Sequence, residues 1–355
     1  MYATPFVAAT AFTKPSVRQN SSRGMLVGGE FSQIADNQFS NFVMLNPSTG
    51  KTNANTAQLR INGLVSAFAV VGDTVYVGGQ FNSVVTLNGN LRVNNPRTRL
   101  AAIKPTTAEL QAWNPACVGG SEGVKAIAVS GGTIYVGGDF TQCGGKPRNG
   151  IASLKDSDGT ANNWNPNPQF SGGTATVNAL EVVGGVVYAG GDFTSIGARS
   201  RTRLAALQSG SFGQADANWQ ADANGEVNFI VADGTVLLVG GKFTVIGGNI
   251  EINPANNQPT QTGGMNRRGF ARVAQADAKV SNWGPLVSLL KPTQFGQGSA
   301  TSYAIGVQAD AMLLGGDFIS FGGANRSNLA AIDLASDVPS RLGIRAPTSP
   351  CEPLR

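Results

Sequence analysis

Histidine is absent from all 355 residues of the chain, and charged residues make up only 13% of it. Without an imidazole, Ser-His-Asp and Cys-His catalysis, histidine-based zinc sites and the usual near-neutral proton shuttle are all excluded. No run of 18 apolar residues occurs, so no membrane span is expected. The segment from Met1 to Phe6 has no basic stretch leading into an apolar one, and no signal peptide is recognisable there.

Cysteine is scarce, since the chain contains three, and this number is too small for a disulfide scaffold. Cys117 follows Trp113, and Cys143 lies just past a Gly-Gly-Asp-Phe segment, so loops on one rim of a repeat fold could hold both. We hypothesise a Cys117–Cys143 disulfide, with two buried free thiols as the alternative. Cys351 could pair with another chain or stay free.

Basic residues are scattered along the chain and do not form a run. The excess of 26 Lys and Arg over 21 Asp and Glu gives a net charge of +5. Nucleic-acid binding requires clustered cations or stacking platforms, so no nucleic-acid partner is expected. No G-x-x-x-x-G-K-[ST] segment leads a strand into a helix, and we expect no nucleotide or other cofactor.

What the chain does contain is a repeat. Six times an apolar strand ends in two glycines, a variable residue and phenylalanine, and these copies define repeats one to six: 27–31, 77–81, 136–140, 189–193, 239–243 and 314–318. The copies are 50, 59, 53, 50 and 75 residues apart. Self-similarity on this scale means that the fold is one small unit copied in series.

Other features keep step with the glycines. An alternating strand that opens with valine precedes most copies, and a third apolar strand follows each of them: 42–45, 100–103, 151–154, 204–207, 270–273 and 329–332. The tryptophans come after this third strand, at Trp113, Trp164, Trp219 and Trp283. Strands separated by Gly, Asn, Asp and Pro turns, with no helical periodicity, predict an all-β fold.

Roughly 40 to 50 residues per three- or four-stranded unit is the size of a propeller blade. We therefore predict a six-bladed β-propeller over residues 1–333, with the segment 5–12 completing the last blade, which lacks a tryptophan strand. A solenoid is the alternative, but it would leave two ends to cap. Residues 334–355 form a Pro-rich tail that cannot hold regular structure. Paired glycines permit positive φ and close backbone approach, and Phe and Trp are expected to fill the space between blades.

The pattern V-x-A-[IL]…V-Y-V-G-G-x-F-[TS]…G-G…R-x-x-L-A-A-[IL]…W resembles the bacterial delta-60 repeat β-propeller family over roughly residues 15 to 333. More loosely it is similar to kelch-type propellers and to fungal cell-surface polarity markers. The resemblance implies a propeller in a surface or secreted setting. It implies no catalytic residues.

Two sets of repeated charges are candidate site residues. The first is the variable residue between Gly-Gly and Phe, at Glu30, Gln80, Asp139, Asp192, Lys242 and Asp317. Paired carboxylates alone can cleave glycosides, but the tolerance of this position favours a turn or hydrogen-bonding role. The second set is Arg97, Arg148, Arg201, Arg267 and Arg326, each three residues before the third strand. We interpret these arginines as blade clamps, with recognition of an anionic glycan or partner as the alternative. The segment Asp156-Ser157-Asp158-Gly159 resembles part of a calcium loop, but a turn is favoured.

Insertions interrupt the repeat at 86–96, 249–264 and 284–301, and insertions in repeat proteins often map to a binding face. We therefore predict a non-catalytic structural or adhesive protein of an extracellular assembly. A phage tail or capsid-surface protein of the virion is slightly favoured over a bacterial surface protein. Its partners would be other subunits, through the tails and insertions, and a surface glycan in addition. A carbohydrate-binding or carbohydrate-cleaving propeller is the alternative.

Overall fold

The computed structural model describes residues 18–21, 24–34, 37–38, 41–46, 49–210, 212–252, 259–282, 292–293, 296–297, 301–308, 311–317, 320–321, 324–325 and 329–333. The chain forms two compact units, Met1–Gly185 with Ser209–Gly213 and Val186–Gln208 with Gln214–Arg355. Among the described residues, no helix is long and apolar enough to cross a membrane. The prediction of an all-β fold is confirmed, since strands dominate both units.

The described residues of the first unit form eighteen strands and one short 3-10 helix, η1 (Ala54–Gln58). The strands are β1 (Arg18–Ser21), β2 (Gly24–Gly28), β3 (Gln33–Ile34), β4 (Asn37–Gln38), β5 (Phe42–Leu45), β6 (Arg60–Ile61), β7 (Leu64–Val71), β8 (Thr74–Gln80), β9 (Ser83–Asn88), β10 (Leu91–Pro96), β11 (Leu100–Lys104), β12 (Glu109–Leu110), β13 (Val124–Ser130), β14 (Thr133–Gly138), β15 (Gln142–Cys143), β16 (Lys146–Pro147), β17 (Ile151–Lys155) and β18 (Thr176–Val183).

The second unit contains the remaining described strands. They are β19 (Val186–Asp192), β20 (Ser195–Ile196), β21 (Arg199–Ser200), β22 (Leu204–Gln208), β23 (Val227–Asp233), β24 (Val236–Gly241), β25 (Val245–Ile246), β26 (Asn249–Ile252), β27 (Pro259–Thr262), β28 (Met265–Asn266), β29 (Phe270–Ala274), β30 (Pro292–Thr293), β31 (Gly296–Gln297), β32 (Thr301–Gln308), β33 (Ala311–Asp317), β34 (Ser320–Phe321), β35 (Ala324–Asn325) and β36 (Leu329–Asp333).

The repeated element is an antiparallel sheet with the Gly-Gly strand in its middle. The sheets run β1-β2-β5, β12-β11-β8-β7 and β13-β14-β17 in the first unit, and β23-β24-β29 and β32-β33-β36 in the second, where β19 also pairs with β22. In repeat two, Leu100 lies opposite Gly78 and Ile103 opposite Val75. The prediction of three short strands per repeat is therefore confirmed for these sheets.

The predicted tryptophan strand is wrong for most of the described repeats. Only repeat two has a short fourth strand, β12, while elsewhere the chain makes a single bridge, such as Leu154 to Ala161 or Leu207 to Ala215. Where the bridge ends, the carbonyl of the next residue accepts a hydrogen bond from an arginine side chain, as the carbonyl after β12 also does. In the sequence of three repeats a proline, Pro115, Pro166 or Pro285, follows two residues after the tryptophan and has no N–H to donate.

Two apolar cores of the first unit lie between consecutive repeats. One core joins Phe42 of repeat one to Val75 and Val77 on one face of β8. The next core joins Tyr76, on the opposite face of β8, to Val136 of repeat three. Each such sheet is thus buried on both faces, with roughly 1.5–3 kcal/mol of stabilisation for every large side chain removed from water.

The segments that make each repeat individual are only partly described. The insertion 86–96 contributes to an antiparallel hairpin of β9 and β10, and within 249–264 strand β26 pairs with β27. Residues 253–258 and most of 284–301 lie outside the described residues, as do the segment 5–12, Trp283 and the tail 334–355. The predictions that concern these segments remain predictions.

Candidate functional site

The Gly-Gly-x-Phe segment closes onto the residue that precedes the third strand. In repeat two the Gly79 N–H donates to the Arg99 carbonyl at 3.1 Å, and the Arg99 N–H donates to the Phe81 carbonyl at 2.8 Å. The same pair of bonds recurs in four other repeats, at Asn41, Gly150, Arg203 and Gly269. These five residues all have positive φ, between 65° and 75°. The motif therefore fixes a left-handed residue at the entry to each third strand.

The paired glycines are required by close packing on both sides. A Cβ on the first glycine would lie 2.6 Å from Val124 of the next repeat at Gly78, and 2.8 Å from Val177 at Gly137. A Cβ on the second glycine would overlap the Leu64 carbonyl oxygen of β7 at Gly79, and the Gly123 carbonyl oxygen, directly before β13, at Gly138. The predicted close approach is confirmed. The predicted positive φ is wrong for these four glycines, since they continue an extended strand.

Asp139 fills the variable position of repeat three and is 4% exposed. Its Oδ2 accepts the N–H groups of Ser121 and Glu122 at 2.5 and 2.7 Å, and its Oδ1 accepts the Gly123 N–H at 2.8 Å. A carboxylate on three consecutive amides forms charge-assisted bonds and fixes the backbone that supplies them. Asp139 thus holds the 119–123 loop in place.

The other residues at this position also contact neighbouring protein. Gln80 donates to the Ser121 carbonyl at 2.8 Å, Asp192 pairs with Arg203 at 3.0 Å, and Lys242 pairs with Glu226 at 2.6 Å. The side chain of Asp317 lies outside the described residues. Amide, carboxylate and ammonium all find a local partner here, which is the behaviour that a turn or hydrogen-bonding role requires.

Four of the five repeated arginines make the same pair of bonds. Nη1 donates to the carbonyl of the preceding residue, and Nη2 to a carbonyl 14 or 15 residues further along: Gln111 for Arg97, Asn162 for Arg148, Asp216 for Arg201 and Ser281 for Arg267. In each case that second residue also donates its own N–H to the third strand. The arginines therefore anchor the segment that leads to the tryptophan. Arg326 lies outside the described residues.

Burial lowers the pKa of the Arg97, Arg148 and Arg201 guanidinium groups, because desolvation disfavours the charged form. Guanidinium keeps its proton in proteins even so. These contacts are those of a clamp on backbone carbonyls.

Sequence reasoning missed a second set of polar anchors, the left-handed residues themselves. Arg99 donates to the carbonyls of Gly119 and, at 2.8 Å, Gly120. Asn41 donates to the Ile61 carbonyl at 2.8 Å. Both side chains thus reach the stretch of chain that precedes the first strand of the next repeat. The only sequence signal was a polar residue directly before the third strand, without the glycine that positive φ usually favours.

Sequence reasoning also missed a β-bulge in the first strand of several repeats. The register shifts between Val65 and Ala67, between Val124 and Ala126 and between Val227 and Phe229. Bulges re-aim a side chain, and the bulged residues are polar: Ser66, Lys125 and Asn228. The Lys125 ammonium contacts the Glu122 carboxylate and donates to the amide oxygen of Asn178 in the next repeat at 3.0 Å.

The tryptophans link consecutive repeats. Trp113, 5% exposed, packs edge-on against Tyr76 of its own repeat, with ring centroids 5.0 Å apart. Its indole N–H donates to the Lys155 carbonyl, in the third strand of the next repeat, at 2.9 Å. Trp219 repeats this arrangement with Tyr188 and the Ala274 carbonyl. The prediction that tryptophan is buried is confirmed for Trp113, Trp164 and Trp219.

The structure joins Cys117 to Cys143 by a disulfide, 26 residues apart in sequence. Cys117 stands two residues before the 119–123 loop, so the disulfide, Asp139, Gln80 and Arg99 all fix one exposed stretch of chain. Val118 at its start is 40% exposed. Cys351 lies outside the described residues.

The segment Asp156–Gly159 forms a turn, in which Asp158 accepts hydrogen bonds from the amide and hydroxyl of Thr160. In the described part of the chain, no group of three His, Cys, Asp or Glu side chains could hold a metal ion. Desolvation by burial raises the pKa of the Glu181 carboxyl, in β18, to about 6.

Comparison with known proteins supports a β-propeller domain. Residues 132–162 match the family described as a domain of unknown function (DUF5122) β-propeller. The computationally designed Ika8 protein is 12% identical, with a TM-score of 0.45 over 91% of this chain and 85% of that one. The designed Ika4 protein is 13% identical, with a TM-score of 0.31 over 50% of this chain and 86% of that one. No curated protein matches the chain.

Proposed function

We propose that this chain is a non-catalytic β-propeller of six blades, closed by the segment 5–12 and belonging with the delta-60, kelch-like repeats. Its role is structural or adhesive, in an extracellular assembly. A phage virion, as a tail or capsid-surface protein, is the first setting proposed, and a bacterial cell surface is the second. The family match over 132–162 supports the blade architecture.

One observation carries the proposal of a non-catalytic role. Where the repeated charged positions are described, their contacts are with the protein itself. Asp139 holds three amides, and Arg201 binds carbonyls through Nε, Nη1 and Nη2. A side chain held in this way builds the repeat, and a catalytic group would instead have to face substrate.

The hairpin of β9 and β10 supports a role in contacts with other subunits. It occurs in repeat two, and the side chains of β10 are mostly exposed, including Leu91 at 74%. Apolar side chains on an inserted, exposed element are typical of a contact surface.

The carbohydrate alternative rests on Glu181. A carboxyl with a pKa of about 6 can hold its proton near neutrality, as a glycosidase acid must. Glycoside cleavage also needs a second carboxylate about 5 to 10 Å away. Because this alternative depends on Glu181 alone, we propose a carbohydrate role second.

Measurements of glycan binding, particle size and particle shape on the full chain test the proposal together. We expect no saturable signal on a glycan array, and particles larger than a monomer in light scattering and small-angle scattering. Averaged electron micrographs should show a ring of six lobes. A monomer that binds one glycan, and loses that binding in Glu181→Gln, would contradict the structural role and favour the alternative.

A further inference from the structure

The outer edge of the β9–β10 hairpin is a strand without a neighbour among the described residues. The sheet order is β10-β9-β6, so β10 lies at the end of its sheet. It is six residues long, and its charged residue is Arg92. Proteins usually blunt such an edge with charge, proline or a covering segment, because unpaired backbone groups are a template for another strand.

The register shows which backbone groups face outward. Leu91 lies opposite Asn88 across a two-residue turn, so residues 91, 93 and 95 exchange hydrogen bonds with β9. The N–H and C=O groups of Arg92 and Asn94 therefore point away from the sheet. Pro96 has the same outward parity, which suits a residue without an N–H.

We propose that β10 pairs antiparallel with β10 of a second copy of this chain, about a twofold axis at Val93. This inference deepens the assembly role proposed above and rests on it. In this register Arg92 of each copy faces Asn94 of the other, and the two residues exchange both backbone hydrogen bonds. The two donors and two acceptors that Arg92 and Asn94 direct outward in each strand are all satisfied.

The side chains are self-complementary in the same register. Val93 faces its own copy on the axis, and Leu91 lies diagonal to it on the same face, within reach of a cross-strand contact. Leu91 is 74% exposed and Val93 39% exposed, so pairing covers apolar surface that the single chain leaves in water. The two Arg92 side chains lie opposite Asn94, which avoids a direct pair of like charges.

One substitution, Asn94→Pro, distinguishes backbone strand pairing from non-specific apolar association. Asn94→Pro removes an outward N–H that the hairpin does not use, so the fold should be kept and two intermolecular bonds lost. We expect dimerisation, measured by sedimentation over a concentration series of the full chain, to weaken about 30-fold, equivalent to about 2 kcal/mol. Val93→Lys should weaken it further, whereas Val118→Lys, at a residue of the same exposure (40%), should leave it unchanged.

A cysteine pair fixes the register. In a Cys351→Ser background, Val93→Cys should form a disulfide-linked dimer under mild oxidant, and Leu91→Cys should do so more slowly, because Leu91 faces Asn95 of the second copy. A chain that is monomeric at every concentration, or a dimer unaffected by Asn94→Pro, overturns the strand pairing. In the second case assembly itself persists, so the role proposed above survives. Pairing of β10 only with an extended segment of a different protein would also overturn the inference.

Discussion

The three amide bonds to Asp139 make the 119–123 loop the sharpest test of the structure. In Asp139→Asn the side chain keeps its shape but loses its charge and one acceptor. If the amide oxygen takes the Oδ2 position, it still accepts from Ser121 and Glu122, but the amide nitrogen then faces the Gly123 N–H. One bond is lost, and two are weakened from charge-assisted to neutral.

The magnitude follows from those three contacts. Hydrogen bonds to a charged partner contribute roughly 1.5–3 kcal/mol, and neutral ones about 1 kcal/mol. Losing one and weakening two should cost about 3 kcal/mol. Asp192→Asn is the matched control, because Asp192 holds the equivalent position but is 32% exposed and pairs with Arg203. An ion pair of this exposure should change stability by less than about 1 kcal/mol.

Two assays read the result. Urea denaturation followed by tryptophan fluorescence gives the change in the free energy of unfolding. Amide hydrogen exchange reports the loop directly, where about 3 kcal/mol corresponds to roughly 150-fold faster exchange if the loop opens locally. The reasoning is refuted if Asp139→Asn keeps wild-type exchange at residues 121–123, or if Asp192→Asn is equally costly.

Three further predictions follow from other contacts. Gly79→Ala, whose Cβ would overlap a backbone carbonyl, should lower the free energy of unfolding by more than about 3 kcal/mol. Gly210→Ala, with open space around it, should change it by less than about 0.5 kcal/mol, and equal urea midpoints for the two variants would contradict this. A thiol count on the denatured, unreduced chain should find one free cysteine, and three free thiols would count against the disulfide. Replacing both Cys117 and Cys143 by serine should lower the free energy of unfolding by about 3.5 kcal/mol, given their separation of 26 residues. Burial raises the pKa of Glu181 from its ordinary 4.5 to about 6, so the stability that its protonated form provides is lost as the pH rises between these values. Glu181→Gln should therefore be about 2 kcal/mol more stable than the wild type at pH 7.5 and no different from it at pH 4. Melting curves that match the wild type at both pH values would exclude the shift.

Much of the repeat could be predicted because local pattern and backbone geometry agree. The apolar run Val75-Tyr76-Val77 before Gly78-Gly79 specifies a strand, and the third strand pairs with it in the expected order. The close packing against the paired glycines could be predicted because glycine inside a strand often marks a place where another part of the protein approaches the backbone closely. The burial of Trp113 followed from its size and its fixed place after the third strand.

The remainder depends on partners that are distant in sequence. Arg99 adopts a left-handed conformation because Phe81 and Gly79 bond its backbone, and nothing in the arginine side chain signals this. The Trp113 indole finds its acceptor at Lys155, 42 residues away, so the pairing was not visible locally. The place where the tryptophan strand was predicted also involves contacts distant in sequence, since an arginine 14 or 15 residues earlier donates to the carbonyl that follows the bridge.

The contacts between successive copies have an evolutionary consequence. The Gly78–Val124 packing, the reach of Arg99 into the next loop and the Trp113–Lys155 bond all join a copy to the one after it. A segment that runs from one paired glycine to the next contains one of the two partners of these contacts at each of its ends. The unit that a duplication would have to copy is therefore the whole repeat and not a single strand, because a single strand would leave these contacts without their partners.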